Sequence, residues 1–218
     1  QIKLSEPDII EIISCIDSDG NKWYEVDSLA RDTVFEDMEN NYTNDPTSIA
    51  DREVASYILK LKRVSRRFTT YINENEETVF EVLRYEPKTF RQRRPNGEGG
   101  WVWNLNGVKT ILYRLPQVLA SSETIHICEG EKDVVLLWSM GLAATTCPMG
   151  AGKWKDEYSE YLDARDVVVF SDNDDAGKGH AHNVALSLQK FVKTLRVVHL
   201  PDLKEHEDVS DYLDSHTV

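Results

Sequence analysis

The chain has 218 residues, a formal net charge of −13 and 40% hydrophobic residues, which is typical of a globular protein with one large domain or two small ones. No apolar run approaches the ~20 residues that cross a bilayer, and the N-terminus lacks the basic and apolar regions of a signal peptide. We therefore expect a cytoplasmic protein with no membrane partner. The first residue is Gln1 rather than Met, which leaves open a processed form or a piece of a longer protein.

The cysteines and histidines argue against a structural zinc site. Cys15, Cys128 and Cys147 are odd in number, far apart and without a CxxC pair, so we expect buried thiols, no disulfide framework and no zinc. His180 and His182 lie two residues apart, a spacing that separates side chains on a helix. We expect both histidines at the surface.

Residues 1–68 show turn signals but no motif that carries chemistry. Asp19-Gly20-Asn21 and Asn44-Asp45-Pro46 suggest a hairpin and loops rather than long helices. The segment 60–67 has five basic residues and no acidic one, which is typical of an exposed connector and also fits a nucleic-acid-facing strip.

Residues 69–122 have the pattern of a basic, β-rich subdomain. Strands are predicted at 79–85 and 101–103, and Asn96-Gly97 supplies a tight turn between them. Residues 60–122 carry 12 Lys and Arg against 6 Asp and Glu, so we place nucleic-acid binding here, with arginines on phosphates. Trp101 and Trp103 either stack on a base or pack in the core. The candidate phosphate contacts are Arg84, Lys88, Arg91, Arg93 and Arg94.

The last part of the chain, residues 123–218, alternates strand and helix signals. This alternation predicts an α/β fold with a four-stranded parallel sheet and flanking helices. The predicted strands are 125–128, 143–147, 167–170 and 195–200, and the predicted helices are 132–140, 154–162 and 177–191. Ligands in such sheets bind at the carboxyl ends of the strands.

Acidic side chains follow two of these strands. Glu129 ends the first strand at a Gly-containing turn, and Asp172 and Asp174 follow the third. Residues two apart in extended chain point the same way, so the two aspartates can bind one hard cation. The competing interpretation is helix capping, which we favour for Asp175. The three residues that follow strands predict a divalent-metal site that acts on phosphates.

These residues carry a resemblance to a known family. Glu129-Gly130-Glu131 after a strand, with Asp172-x-Asp174 and Ala176-Gly177 after a later one, resembles the Toprim domain of bacterial-type primases, topoisomerases and some nucleases. Upstream, the segments 84–88, 91–94, 99–103 and 113–116 resemble primase-like proteins of phages and mobile elements. The resemblance covers roughly residues 70–218.

The resemblance implies roles for individual residues. The glutamate that matches Glu129 acts as general acid/base or metal ligand, and the aspartates that match Asp172 and Asp174 hold Mg²⁺ (or Mn²⁺) for nucleotidyl transfer. Asp208 and Asp211 resemble a late acidic motif that completes a second metal site. Lys132 either binds a phosphate or pairs with Asp133.

The resemblance further implies a DNA primase that makes RNA primers from ribonucleotides on a single-stranded DNA template, with a replicative helicase as a partner. Two alternatives stay open: a Toprim nuclease that uses the same carboxylates, and a non-catalytic nucleic-acid-binding module. Residues 1–68 do not resemble primases; they show a faint resemblance to phage virion structural proteins, and we assign them no function.

Overall fold

The structure, a computed structural model, describes residues 15–39 and 57–216. The predicted turn at 44–46 lies outside this range. Among the helices in these two ranges, none has the length and apolar character needed to cross a bilayer.

The N-terminal part of the described chain consists of β-strands. A six-stranded sheet has the order β1-β2-β5-β6-β7-β8, and β3 pairs with β4 in a separate two-stranded ribbon. This six-stranded sheet takes strands from both sides of residue 68. The strands are β1 (Cys15–Ile16), β2 (Lys22–Glu25), β3 (Thr33–Glu39), β4 (Tyr57–Arg63), β5 (Arg67–Ile72), β6 (Thr78–Tyr85), β7 (Thr89–Pro95) and β8 (Trp101–Val102).

A further strand, β7, lies between the two predicted strands, so the Asn96-Gly97 turn joins β7 to β8 rather than joining the strand at 79–85 to β8. Arg94 pairs with Val102, and the turn between the strands is closed by Asn96, whose backbone N–H bonds to the carbonyl of Gly100 at 3.0 Å. The Asn96 side chain accepts the Gly100 N–H at 2.8 Å. An asparagine that bonds to the backbone of its own turn is a common device for reversing a strand.

The C-terminal part is the predicted α/β unit. Four parallel strands have the order β10-β9-β11-β12, and helices connect them, so the predicted fold class is confirmed. The elements are α1 (Leu115–Ala120), β9 (Ile125–Ile127), α2 (Glu131–Ser139), β10 (Ala144–Thr145), α3 (Asp156–Ser159), β11 (Asp166–Ser171), α4 (Asp175–Leu188), β12 (Thr194–His199) and α5 (Val209–His216).

One hydrophobic core joins the two parts of the chain. Tyr71 of β5 is 1% exposed and stacks on Phe80 of β6, with ring centroids 4.4 Å apart. Both rings belong to the cluster that also holds the central strands and helices of the α/β unit. The Tyr71 hydroxyl donates to Glu131 at the start of α2 at 2.8 Å, so the six-stranded sheet is fixed against the helix that follows Glu129.

Two sequence predictions differ from the structure. The basic segment 60–67 is not one exposed connector: it holds the end of β4, a connection of three residues at 64–66, and the start of β5. Arg67 is 1% exposed, and its guanidinium donates to the carbonyls of Leu29 and Val64, both at 2.9 Å. His180 is buried rather than exposed, because its position on α4 faces the core and its Nδ1 accepts the backbone N–H of Gly152 at 3.1 Å. His182 is exposed.

Candidate active site

Strands β9 and β11 deliver two of the predicted acids to one edge of the sheet. The two strands are parallel neighbours, with Ile127 opposite Val169. Glu129 follows β9 by two residues and Asp172 follows β11 directly. The structure therefore brings Glu129 and Asp172 together at the carboxyl edge, where a parallel sheet presents its ligand-binding groups.

The acids at this edge repel one another. Burial raises the pKa of Asp172 to about 8, and the nearby charge of Glu129 adds to the rise. Burial also raises the pKa of Glu129, followed by the charges of Asp174 and Asp133. Within the described residues, the buried Oδ1 of Asp172 has no hydrogen-bond partner. An unpartnered buried carboxylate oxygen is costly, and a cation would relieve that cost.

Asp174 has its oxygens engaged by the protein. It is the N-cap of α4, and its Oδ1 accepts the Gly177 N–H at 2.7 Å. Its Oδ2 lies 3.3 Å from His206 Nδ1. The bond from Gly177, and then the one from His206, hold the pKa of Asp174 below its usual value. The capping role that we expected for Asp175 is thus performed by Asp174, and Asp175 occupies the first turn.

Asp208 and Asp211 have different surroundings. Their carboxylates cap the start of α5 reciprocally, since Asp208 N–H donates to Asp211 Oδ2 and Asp211 N–H donates to Asp208 Oδ1, both at 3.0 Å. Asp208 also lies near the other acids, and its charge therefore raises the pKa of Asp172 and of Glu129. The structure therefore brings Asp208 to the acidic edge, whereas the Asp211 carboxylate bonds to the backbone at the helix start.

Lys132 does not pair with Asp133, and its contact with a phosphate stays a prediction. Its ammonium lies 2.8 Å from Asp208 Oδ2, not against Asp133. Asp133 is instead buried, at 3% exposure, and accepts both the backbone N–H of Ser210, at 3.0 Å, and the Ser210 hydroxyl. Consecutive residues of α2 thus hold the segment that begins α5.

The acidic edge suits a divalent cation in its chemistry but not yet in its arrangement. Over residues 15–39 and 57–216, no three His, Cys, Asp or Glu side chains are placed so that they could hold a metal ion together. Asp174 is turned to Gly177 and His206, and Asp208 to Lys132. The donor set is nevertheless all oxygen, which Mg²⁺ prefers, and the unpartnered oxygen of Asp172 lies among neighbours that raise its pKa. The residues present therefore fit a divalent cation if Asp174 or Asp208 exchanges its partner.

Sequence reasoning missed one residue that shapes this edge, Asn173, and assigned no role to a second, Gly177. Asn173, between the two aspartates, binds the following loop: its side chain donates to Leu203 O at 2.7 Å, and its backbone bonds to Glu207 and His206. Gly177 lets α4 approach, because an added Cβ there would lie 2.8 Å from the Cβ of Asp172 and 3.0 Å from its carbonyl oxygen. The motif around residues 172–177 could have indicated the glycine, but no sequence signal indicates the asparagine contact.

The five candidate basic residues do not form one strip. In β6 and β7, Leu83 pairs with Arg91 and Arg84 with Phe90, and side chains alternate between faces along a strand. Arg91 and Arg93 therefore share one face, whereas Arg84 and Arg94 share the other. The second face also carries Phe80 and Val82 of the main core and so looks toward the α/β unit. Lys88 lies exposed in the turn between the strands.

Arg93 is held by protein contacts. Its Nε lies 2.5 Å from Glu81, a buried carboxyl whose pKa burial raises to about 7, against the opposing effect of Arg93. The guanidinium also lies 4.0 Å from the ring centroid of Trp101 and 5.7 Å from that of Trp103. Trp103 is 52% exposed, so a core position is wrong for this tryptophan.

Comparisons with known proteins agree with this architecture. Residues 126–213 match the Toprim-like family. The Gene 57 protein of Mycobacterium phage D29 is 31% identical over 110 residues, which are 50% of this chain and 67% of that protein. The E. coli primase catalytic core superposes with a TM-score of 0.51 at 17% identity, over 80% of this chain and 58% of that one. A DNA primase domain from Pseudomonas aeruginosa superposes with a TM-score of 0.52 at 17% identity, over 83% of this chain and 52% of that one. The chain thus spans little more than half of either solved primase.

The fold and the acidic edge define an α/β domain that gathers carboxylates where parallel strands end. The match over residues 126–213 gives that domain its family, and the phage relative agrees with it. The chain belongs to the Toprim-like family, and residues 126–213 form its Toprim-like domain. At 17% identity, the solved primases show that the fold is shared.

Proposed function

We propose that the chain is a Mg²⁺-dependent, primase-type nucleotidyltransferase that makes RNA primers on single-stranded DNA from ribonucleotides. The observation that carries the proposal is Asp172, which has a buried, unpartnered carboxylate oxygen beside Glu129 at the carboxyl edge of a Toprim sheet. Clustered carboxylates of this kind suit a cation that also binds phosphate oxygens. The primase-like fold of the whole described chain favours priming over other Toprim reactions.

Each acidic residue would have its own role in this reaction. Asp172 would hold the ion directly, with Asp208 and Asp174 as further ligands, and Asp211 as a second-site ligand remains a prediction. When bound, Mg²⁺ stabilises the negative charge that develops on the transferred and leaving phosphates. Glu129 is half-buried with a raised pKa, so it is suited to accept the proton from the attacking hydroxyl group.

The template would approach from the basic sheet. We place the phosphate contacts first on Arg94, because its face of the sheet also carries Phe80 and, through the Phe80–Tyr71 stack, leads to Glu131 beside Glu129. Arg91 on the opposite face would contact template DNA that continues around the edge of the sheet. Arg93 would act by holding Trp101 in place rather than by binding phosphate.

A primer-synthesis assay tests the reaction. The protein is incubated with single-stranded DNA and labelled ribonucleotides, with Mg²⁺ or with EDTA, and the DNA is checked for cleavage in the same samples. We expect Mg²⁺-dependent primers, and a loss of at least about 100-fold in Glu129→Gln and Asp172→Asn. Asp175→Asn is the matched control and should retain activity. Full activity in Glu129→Gln would remove this residue from the mechanism, and cleavage without primers would identify a nuclease.

A binding experiment tests the template path separately. Single-stranded DNA affinity is measured against salt concentration for Arg94→Ala and Arg91→Ala. We expect Arg94→Ala to weaken binding and to reduce the salt slope by about one. A larger effect of Arg91→Ala would move the path to the outer face. A replicative helicase as partner remains a prediction.

A further inference from the structure

The ion pair between Lys132 and Asp208 lies at the edge of the acidic site. The ammonium of Lys132 is 2.8 Å from Asp208 Oδ2, and the two side chains are 44% and 23% exposed. We propose that Lys132 is a built-in counter-ion that competes with a divalent cation for Asp208. The inference rests on the metal-dependent function proposed above and names the residue that controls access to one of its ligands.

The geometry of Asp208 makes the two cations alternatives. Its Oδ1 accepts the backbone N–H of Asp211, which is fixed by the first turn of α5. Its Oδ2 is taken by Lys132, whose long and flexible stem can swing away. A divalent cation that binds Asp208 therefore replaces the ammonium rather than the backbone donor.

The surrounding contacts confine this exchange to one side chain. Asp133 accepts both donors of Ser210, so the beginning of α5 stays attached to α2 when Lys132 leaves. Asp208 is near enough to the acidic edge for its charge to raise the pKa of Asp172 and Glu129. Its carboxylate can consequently join an ion held by Asp172 after a side-chain movement, without unfolding of the helix start.

Calorimetric titration with Mn²⁺ tests the competition without any need for catalysis. The proteins are wild type, Lys132→Met, Asp208→Asn and the double variant. We expect Lys132→Met to bind Mn²⁺ about five times more tightly than wild type, which is ~1 kcal/mol. In the Asp208→Asn background the same substitution should change the affinity by less than about twofold, because the competed ligand is absent.

A second lysine separates direct competition from the general effect of removing a positive charge. Lys178 is an exposed residue of α4 that lines a shallow depression with Asp174 and His206. We expect Lys178→Met to tighten Mn²⁺ binding by less than about twofold. Equal tightening by Lys178→Met, or an undiminished effect of Lys132→Met in the Asp208→Asn background, would overturn the proposal.

Thermal unfolding supplies a second readout and shows that the variants fold. In EDTA, Lys132→Met should melt at or slightly below the wild-type temperature, because an ion pair is lost. Addition of Mn²⁺ should raise the melting temperature of Lys132→Met by more than it raises that of wild type. Unchanged or weaker Mn²⁺ binding by Lys132→Met refutes the inference alone. A wild-type protein that binds no Mn²⁺ refutes the proposed metal-dependent function and this inference with it.

Discussion

Asp172→Asn should stabilise the protein while it removes the metal site. Asparagine has the same shape as aspartate but no charge, so it relieves the repulsion from Glu129 and the cost of burying a carboxylate. The two effects separate folding from function at one residue. A residue that served only the fold would lose stability when replaced.

The magnitude follows from linkage between protonation and folding. The pKa of Asp172 rises from 3.8 to about 8 on folding, so the folded state holds a proton that the unfolded state has lost. The resulting destabilisation is absent below pH 4, grows as the pH rises, and levels off above pH 8. A shift of this size corresponds to about 6 kcal/mol. Because the side chain is only partly buried and water screens it, we expect ~1–2 kcal/mol.

The assay is urea unfolding of wild type and Asp172→Asn in EDTA at pH 5 and pH 8. The free energy of unfolding of the variant should exceed that of wild type by ~1–2 kcal/mol at pH 8 and by clearly less at pH 5. Mg²⁺ should then stabilise wild type but not the variant. Asp175→Asn, an exposed change three residues away, is the control. A variant that is less stable at pH 8, or a difference independent of pH, would refute the reasoning.

Three further predictions concern the same edge of the sheet. Gly177→Ala should lower the free energy of unfolding by ~1–3 kcal/mol and weaken Mn²⁺ binding, because the new Cβ displaces Asp172; unchanged Mn²⁺ affinity in titration would contradict this. Ser210→Ala should cost ~1–2 kcal/mol in urea unfolding, because Asp133 loses a buried donor, and Ser210→Thr should restore part of it. Mg²⁺ affinity of wild type should rise between pH 6 and pH 8, because Asp172 must lose its proton; a flat calorimetric profile would show that another group binds the ion.

The fold was predictable from the sequence because its signals are local. The four strands of the α/β unit are short apolar runs, and helical stretches separate them along the chain. Glu129 and Asp172 could be placed at one edge by the rule that parallel strands end together. The sequence could not show which oxygens are free, because this depends on partners distant in the chain. Asp174 is engaged by His206, and Asp208 by Lys132.

The basic strand shows a second limit of sequence reasoning. Counting charges identified residues 60–122 as the basic segment, but a count cannot assign the arginines to the two faces of a sheet. That assignment needs the pairing of β6 with β7, in which Glu81 lies opposite Arg93. The same pairing explains why a buried glutamate occurs in a basic segment: it neutralises the arginine that packs on Trp101.

The acids at the sheet edge differ in how completely the protein compensates them, and this difference assigns their roles. Asp133 has two donors from Ser210, Asp174 has Gly177 and His206, and Asp208 has Lys132 and a backbone N–H. In the described part of the chain, Asp172 alone among these four keeps a buried carboxylate oxygen without a donor. A cation would therefore gain most at Asp172 and would reach the compensated acids by replacing their partners. This order of binding follows from the contacts, because an ion that binds the free oxygen of Asp172 displaces no protein donor.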